Sequence, residues 1–328
     1  MEPDLDHSSG GKWSRSFHSC AQALLNVRPF MTLHFPSEMG GSLFVITQNT
    51  IEGDNEMKIY KALTIAGSDS GGGAGIQADL KTFQELGTYG MSVITAVTAQ
   101  NTLGVQGVYP MEAAAIRRQL ESIGEDLEPS ALKTGMLFNG ETIEIVAAKI
   151  KQYKWQNLII DPVMVAKGGS SLLQQEAIQS LIKHLLPLAL VTTPNIPEAE
   201  LLARMPIRTL SNREEAAKIL YQMGSRYIVI KGGHDTGSER LVDLIYDGER
   251  FDYLESKRID TRHTHGTGCT FSAALTALIA QGNSVPDAIR TAKAFIQAAI
   301  EDQLGFGGGH GPTNHFAYQR RLRGGIHD

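Results

Sequence analysis

The stretch His-Thr-His-Gly-Thr-Gly-Cys-Thr, His263–Thr270, runs directly into the apolar segment Phe271–Ile279. That segment is rich in alanine and leucine and contains neither proline nor glycine, so it predicts a buried helix. The glycines just before it predict a flexible turn whose amide groups are free at the start of the helix. Free N–H groups and the positive end of a helix dipole together favour binding of a phosphate or a developing anion.

Cys269 lies within this predicted anion site. A thiol at the N-terminus of a helix is expected to have a lowered pKa, which would let it take a proton from a substrate hydroxyl near neutral pH. An isolated motif of this kind is also explained by a glycine turn and a small buried cysteine that packs the first helical turn. The other motifs of the chain have to decide between these two interpretations.

Length, charge and cysteine content narrow the class of protein. A chain of 328 residues can form one large α/β domain or two smaller ones. A net charge of −5 and a pI of about 6.1 argue against a nucleic-acid partner. The two cysteines, Cys20 and Cys269, are far apart, which predicts a reducing, cytoplasmic setting rather than a disulfide framework. Because no stretch reaches membrane-spanning length, we predict no membrane partner.

Residues 1–56 differ from the rest of the chain. They mix serine, glycine, histidine and scattered apolar residues with no sustained period. They also lack the basic start and the single apolar core of a secretory signal. We therefore predict a disordered extension or leader over residues 1–56 and a folded domain over residues 57–328.

Strand-like and helix-like segments alternate from Met57 onward, which predicts an α/β fold. Apolar strands separated by helices indicate a mainly parallel central sheet covered on both faces. Binding sites in such folds lie beyond the carboxyl ends of the strands. We predict strands at Leu63–Ala66, Ser92–Gln100, Ala131–Lys133, Leu158–Asp161, Leu190–Thr193 and Tyr227–Lys231, a hairpin of Leu241–Tyr246 with Arg250–Leu254, and helices at Ala74–Leu86, Ala113–Ile123, Glu141–Tyr153, Gln174–His184, Arg213–Met223, Thr267–Ala280 and Val285–Asp302.

A glycine-rich loop, Gly67–Gly75, follows the first predicted strand. It lacks the lysine of a phosphate-binding loop, and Ile76 stands where a dinucleotide fingerprint needs its third glycine. Its four glycines within five residues let another molecule approach the backbone closely. Asp69 could accept a hydrogen bond from a substrate hydroxyl or amine, although a capped helix with turn glycines explains the loop equally well.

Gln100 and Asn101 end the next strand, at the edge where sites form. A glutamine side chain offers one acceptor and two donors, which matches the edge of an aminopyrimidine or of a substituted pyridine ring. The alternative is a turn of Asn and Gln residues that simply terminates the strand.

Charged residues follow three further strands. Asp161 and Glu198 carry the hard oxygen ligands that Mg²⁺ prefers. Asn195 and Glu198 are three residues apart across a helix start, so a capping box explains them as well. Lys231 follows another strand beside a flexible turn, and a lysine there suits nucleotide phosphates. Five glycine or acid motifs at strand ends are hard to explain by helix capping alone.

These motifs together resemble the hydroxymethylpyrimidine/phosphomethylpyrimidine kinases of thiamine biosynthesis. The resemblance extends from about Tyr60 to Tyr318 and leaves residues 1–56 without a counterpart. It implies the ribokinase-like fold, a three-layer αβα sandwich. The segments that carry it are Ala66–Lys81, Val93–Thr102, Lys133–Met136, Asp161–Met164, Thr193–Glu198, Lys231–His234 and His265–Cys269.

The resemblance also implies a role for each matching residue. Most of the wider superfamily has an aspartate at the position of Cys269, and the cysteine is typical of this branch and of a bacterial pyridoxal kinase offshoot. The implied roles are pyrimidine binding by Gln100 with Gly67, Asp69, Ala74, Met136 and Val163, ATP binding by Lys231, Asn195 and Lys167, Mg²⁺ binding by Asp161 and Glu198, and an anion hole of Gly266, Thr267 and Gly268 beside Cys269.

The implied activity is ATP-dependent phosphorylation of 4-amino-5-hydroxymethyl-2-methylpyrimidine and then of its monophosphate. Pyridoxal/pyridoxine kinase activity is the main alternative, because both substrates are aromatic nitrogen heterocycles that carry a hydroxymethyl group. A pyrimidine-binding module without catalysis is a third, remote alternative. We further expect a cytoplasmic homo-oligomer, most simply a dimer.

Overall fold

The computed structural model describes residues 58–164, 172–174, 176–234 and 240–324, with His234 described by its backbone alone. The predicted extension over residues 1–56 and the predicted ATP ligand Lys167 lie outside these ranges. The described strands are β1 (Lys61–Asp69), β2 (Tyr89–Asn101), β3 (Gly104–Pro110), β4 (Ala131–Thr134), β5 (Leu158–Ile160), β6 (Ala189–Thr192), β7 (Tyr227–Ile230), β8 (Arg240–Tyr246) and β9 (Phe251–Lys257).

The helices alternate with these strands, as the sequence predicted. Polar caps fix where several of them begin: Asn139, Thr209 and Ser284 each accept a hydrogen bond from a backbone amide of the first turn. The helices are α1 (Gly75–Glu85), α2 (Ala113–Asp126), α3 (Gly140–Tyr153), α4 (Ala177–Ser180), α5 (Ile196–Ala203), α6 (Leu210–Gln222), α7 (Thr267–Ala280), α8 (Val285–Glu301) and α9 (Ala317–Gly324).

The nine strands form one sheet in the order β3-β2-β1-β4-β5-β6-β7-β8-β9. The central strands from β2 to β7 in this order are parallel, and the antiparallel pairings lie at the two edges. The predicted mainly parallel sheet is therefore confirmed. The strand order changes direction at β1, because β2 lies on one side of it and β4 on the other. A crevice forms at such a switch point, beyond the carboxyl ends of the strands.

Two apolar cores hold helices against the two faces of the sheet. Side chains of a strand point alternately to opposite faces. Ile159 accordingly packs with α1, α7 and α8, whereas Leu158 and Ile160 pack with α2 to α6. This alternation confirms the predicted three-layer αβα sandwich.

Three elements differ from the sequence prediction. Strand β3 was not predicted, because its sequence contains two glycines and lacks an alternating pattern. The predicted helix Gln174–His184 is a short α4 that continues through a π-helical turn, Leu181–Leu185. Helix α9 was not predicted either; it is rich in arginine, and an ion pair of 2.6 Å between Arg321 and Glu301 ties it to α8. None of the helices in the described ranges has the length and apolar content that a membrane crossing requires.

Candidate active site

A cavity of about 480 Å³ opens at the carboxyl edge of the parallel strands. This volume is typical of small-molecule sites. The first turn of α7 forms one of its walls. The cavity is lined by every predicted site residue within the described ranges: Gly67, Asp69, Ala74, Gln100, Met136, Asp161, Val163, Asn195, Glu198, Lys231, Gly266, Thr267, Gly268 and Cys269.

The N-terminus of α7 supplies hydrogen-bond donors to this cavity. Gly266 precedes the helix with φ of +80°, a left-handed conformation that favours glycine. Amide groups in the first turn of a helix, such as those of Gly268 and Cys269, have no acceptor within the helix. No side chain of the described residues caps this helix. The geometry that the sequence predicted for an anion site is therefore present.

Two loops that are far apart in sequence pack against each other beside these donors. A Cβ atom on Gly266 would lie 1.8 Å from the carbonyl oxygen of Gly73. A Cβ atom on Gly73 would in turn lie 2.6 Å from Cδ2 of His265. Neither glycine can carry a side chain without displacing its neighbour. The close contact holds the first glycine-rich loop directly against the N-terminus of α7.

Asp69 organises the first glycine-rich loop. Its carboxylate accepts hydrogen bonds from the amides of Gly71, Gly73 and Ala74 at 2.8–3.1 Å, and Nε2 of His265 lies 2.8 Å from Oδ2. Burial acts to raise the pKa of Asp69, but these partners, His265 first, outweigh it and lower the pKa. That Asp69 also accepts from a substrate stays a prediction. Its oxygens are already engaged by its own loop and by His265.

Gln100 stands at the end of β2, opposite that loop. Its backbone amide donates to Oγ of Ser70 at 2.9 Å, and its carbonyl oxygen accepts from the same hydroxyl at 2.7 Å. Its side chain lies between Thr98 and His265. Sequence reasoning assigned no role to His265, although this residue belongs to the motif that precedes α7.

The cavity also has an apolar wall. Met136 and Leu172 are buried with Ala96, and Val163 packs against them. Gly67 lies against this group, because a Cβ atom there would be 3.3 Å from Sδ of Met136. Flat apolar surface next to a carboxamide suits an aromatic heterocycle.

An ion pair lies beneath the start of α7. Nζ of Lys231 is 2.9 Å from Oδ1 of Asp161, whose side chain is 2% exposed. A Cβ atom on Gly268 would be 3.4 Å from both Nζ and Oδ2, so the pair touches the helix N-terminus. Burial acts to raise the pKa of Asp161, but Lys231 and then Lys133 hold it below its ordinary value. The carboxylates of Asp161 and Glu198 keep the pKa of Lys231 raised, against the effect of burial.

Glu198 and Asn195 form the capping box that was the alternative interpretation. The Asn195 side chain accepts from the Glu198 amide at 2.9 Å, and Oε2 of Glu198 accepts from the Asn195 amide at 2.8 Å. Both residues nevertheless line the cavity. Burial raises the pKa of Glu198 to about 7; the charge of Asp161 adds to this effect and Lys231 opposes it. The carboxyl groups of Asp161 and Glu198 therefore share the single positive charge of Lys231, so the site can accept a further cation.

Cys269 lies at the bottom of the cavity as a free thiol. Burial raises its pKa to about 12; Lys133 opposes this shift, whereas Asp79 and Asp161 add to it. The expectation of a lowered pKa is therefore wrong for this structure. The dipole of one helix does not offset the loss of water and the two nearby carboxylates. At neutral pH the side chain is a neutral thiol.

Sequence reasoning also missed a buried ion pair behind the site. Nζ of Lys133 is 2.7 Å from Oδ1 of Asp79, and both side chains are fully buried. Oγ1 of Thr64 donates to the other carboxylate oxygen at 2.6 Å. The available signal was a lysine inside the otherwise apolar strand β4, because a buried charge needs a partner.

A family model, similar sequences and solved structures were compared with this chain, and all three indicate the same group of kinases. A family model described as phosphomethylpyrimidine kinase matches residues 69–314. The hydroxymethylpyrimidine/phosphomethylpyrimidine kinase of Bacillus subtilis (strain 168) is 55% identical over 264 residues, which cover 80% of this chain and 97% of that protein. The pyridoxine kinase of the same strain is 48% identical over 264 residues, with coverage of 80% and 97%.

Solved structures agree with these relatives. The ADP complex of Bacillus subtilis pyridoxal kinase has a TM-score of 0.75 and 47% sequence identity, and the match covers 80% of this chain and 99% of that one. The family model spans most of the chain. The two Bacillus subtilis relatives are about half identical to this chain over nearly their whole length. The chain therefore belongs to the phosphomethylpyrimidine kinase family.

Proposed function

We propose that this chain is an ATP-dependent kinase that phosphorylates 4-amino-5-hydroxymethyl-2-methylpyrimidine and then its monophosphate, in thiamine biosynthesis. The observation that carries the proposal is the composition of one cavity. A helix N-terminus with free amides, the thiol of Cys269, the carboxamide of Gln100 and the Asp161–Lys231 pair all face the same space. A phosphoryl acceptor, a transferring phosphoryl group and a nucleotide each find a complementary surface there.

The chemistry is an in-line displacement. The oxygen of the substrate CH₂OH group forms a bond to the γ-phosphorus of ATP while the bond to the β–γ bridging oxygen breaks, which releases ADP. Such transfers depend mainly on positioning and charge stabilisation. The amides at the start of α7 stabilise the charge on the equatorial oxygens. Lys231 neutralises the nucleotide phosphates, and its contact with Gly268 places it beside those amides.

Cys269 acts in this proposal by orienting the substrate hydroxyl. Because its pKa is raised, the neutral thiol contacts the hydroxyl without first removing its proton. A loose transition state tolerates this, since the hydroxyl keeps its proton until the phosphorus–oxygen bond to ADP has largely broken. The proton then passes to an oxygen of the transferred phosphoryl group and from there to solvent. The resemblance left open whether Cys269 takes the proton or only orients the hydroxyl, and the raised pKa favours orientation.

The residues present fit a magnesium ion that is held largely by ATP and water. Asp161 and Glu198 offer hard oxygen ligands beside a single lysine. Clusters of three or more His, Cys, Asp or Glu residues that could form a protein cage are absent from the described ranges. When bound with ATP, Mg²⁺ supplies positive charge to the β- and γ-phosphates. Glu198 and Asp161 would hold the hydrated ion, and Asn195 keeps Glu198 in place through the capping box.

Pyridoxine kinase is the second candidate function. It is favoured by the 48% identity with the pyridoxine kinase of Bacillus subtilis and by the similarity to its pyridoxal kinase structure. The higher identity with a hydroxymethylpyrimidine/phosphomethylpyrimidine kinase favours the pyrimidine. The cavity alone accommodates either ring, since both are flat heterocycles with a hydroxymethyl group.

A coupled assay for ADP release tests the proposal. The panel contains the aminopyrimidine alcohol, its monophosphate, pyridoxine and pyridoxal, and the Lys231→Met variant measures background. We expect turnover with the pyrimidine alcohol and with its monophosphate. Turnover restricted to pyridoxine and pyridoxal would establish the second candidate instead. Binding of the pyrimidine without ADP release would indicate a module without catalysis.

We propose that residues 57–328 are sufficient for this activity. The described elements begin with β1 at Lys61, and every described residue of the cavity lies beyond it. A protein that starts at Met57 should keep kcat and KM within twofold of the full chain. A folded but inactive truncation would show that residues 1–56 contribute to the site.

We also propose a homodimer that works in the cytoplasm. The proposal is supported by apolar side chains exposed on the hairpin of β2 and β3: Val97 is 43% exposed, Leu103 75% and Tyr109 63%. Such side chains on a sheet edge favour association. Light scattering should give twice the chain mass, and Leu103→Glu combined with Tyr109→Glu should give the monomer mass.

A further inference from the structure

Four polar side chains from three parts of the chain meet in the cavity. Nε2 of His265 is 2.8 Å from Oδ2 of Asp69 and 3.3 Å from Nε2 of the Gln100 carboxamide. Oε1 of that carboxamide is 3.1 Å from Oγ1 of Thr98. Asp69, His265 and Thr98 are each less than a tenth exposed. The hydrogen-bond partners of Gln100 are therefore few and fixed.

The position of one proton follows from the contact with Asp69. A carboxylate oxygen only accepts hydrogen bonds, so Nε2 of His265 must carry a hydrogen at this distance. A protonated ring nitrogen has no lone pair left to accept a further hydrogen bond. The NH₂ group of Gln100 therefore finds no acceptor on His265, and a half-turn of the carboxamide puts its oxygen beside the Nε2–H group instead. The oxygen and nitrogen of a carboxamide exchange places by a half-turn and are told apart by their partners.

Thr98 leads independently to the same orientation. Its hydroxyl donates its one hydrogen to the carbonyl oxygen of Ser68 at 2.9 Å. Oγ1 can then only accept from Gln100, so the same half-turn, which puts the NH₂ group beside Oγ1, satisfies this contact too. Both neighbours therefore specify one orientation of the Gln100 side chain. That orientation leaves one N–H hydrogen and one oxygen lone pair for a ligand.

We propose that His265 is a positioning residue, which holds the Gln100 carboxamide with its oxygen toward His265 and its NH₂ group toward Thr98. This sets the order in which the cavity presents a donor and an acceptor to the edge of a ring. An aminopyrimidine has an amino donor next to a ring-nitrogen acceptor, which pairs with a carboxamide in a fixed order. Pyridoxine has no amino group beside its ring nitrogen. The inference rests on the proposed function and assigns His265 a part in substrate selection.

Two variants separate orientation from mere packing. His265→Gln can place an N–H donor close to the position of Nε2, whereas His265→Leu cannot donate. His310→Leu is the matched control, because His310 is exposed and lies outside the cavity. We expect His265→Leu to raise KM for the aminopyrimidine alcohol about tenfold, the loss of one hydrogen bond, with kcat within threefold of wild type. His265→Gln should restore KM to within threefold, and His310→Leu should leave both constants unchanged.

A measurement on the unaltered protein covers the case in which His265→Leu does not fold. Nitrogen NMR of ¹⁵N-histidine protein, with the His265 signals assigned from His265→Gln, should show a hydrogen on Nε2. A neutral ring with its hydrogen on Nδ1 would overturn the proposal, as would an unchanged KM in folded His265→Leu. Absence of any turnover of the pyrimidine by the wild type would instead refute the proposed function.

Discussion

Replacing Gly266 by alanine tests the contact between the two loops that form the proposed anion site. Gly266 has φ of +80°, and its Cβ atom would lie 1.8 Å from the carbonyl oxygen of Gly73. Gly282, just beyond the other end of α7, has φ of +88°, and no described atom lies within 4 Å of its added Cβ. Gly282→Ala therefore carries the same backbone cost without the overlap.

The left-handed backbone conformation and the steric overlap contribute separately to the expected loss of folding free energy. A left-handed conformation costs alanine about 1–2 kcal/mol, which applies to both variants. Relief of the overlap in a packed region adds about 1–3 kcal/mol in Gly266→Ala alone. Ordinary contact begins near 3.4 Å, so the two loops must separate by more than 1 Å. A misplacement of that size costs about a hundredfold in rate.

Thermal unfolding and the coupled ADP assay measure the two effects. At about 2–4 °C per kcal/mol, Gly266→Ala should lower Tm by about 4–20 °C and Gly282→Ala by about 2–8 °C. The kcat of Gly266→Ala should fall about a hundredfold, whereas that of Gly282→Ala should stay within threefold of wild type. Equal Tm and kcat values for the two variants would show that the loop contact is not needed.

Two further perturbations test the buried charges. The pKa of Glu198 is raised to about 7 from 4.5, so its contribution to stability is complete below pH 4.5 and decreases by about 3 kcal/mol as pH rises to 7. Burial lowers the pKa of His315 to about 4, so the contribution of His315 to stability increases with pH and opposes that of Glu198. Comparing wild type with Glu198→Gln cancels the effect of His315. The measurement is urea unfolding of both proteins at pH 5 and pH 8 without Mg²⁺. Glu198→Gln should gain about 3 kcal/mol relative to wild type at pH 8; an equal difference at both pH values would contradict the assignment. Lys133→Met leaves Asp79 buried without its cation and should cost about 3–5 kcal/mol in urea unfolding, and adding Asp79→Asn should recover part of that loss.

The sequence was most informative where local pattern and local structure coincide. Continuous apolar strands predicted the parallel sheet, and the residues after them reach one cavity because parallel strands end at the same edge. The capping box of Asn195 and Glu198 was also visible, since its two members are three residues apart.

Long-range electrostatics could not be predicted from local pattern. The raised pKa of Cys269 depends first on burial by the surrounding fold and then on Asp79 and Asp161, which come from other elements. The hydrogen bond between Asp69 and His265 joins residues 196 positions apart. Neither arrangement leaves a periodic signal. The helix N-terminus was visible in the sequence, but the burial that raises the pKa of Cys269, and the carboxylates that add to it, were not.

The role of Cys269 is tested most directly by single-turnover transfer from ATP to the pyrimidine alcohol in Cys269→Ala and Cys269→Ser. If the neutral side chain orients the hydroxyl, Cys269→Ala should slow transfer at least a hundredfold while the Kd of the alcohol stays within threefold. Cys269→Ser, which keeps a neutral hydrogen-bonding group, should retain more than a tenth of the wild-type rate. Near-normal transfer in Cys269→Ala would contradict any role for the thiol, and a serine variant as slow as the alanine variant would contradict orientation by a neutral group.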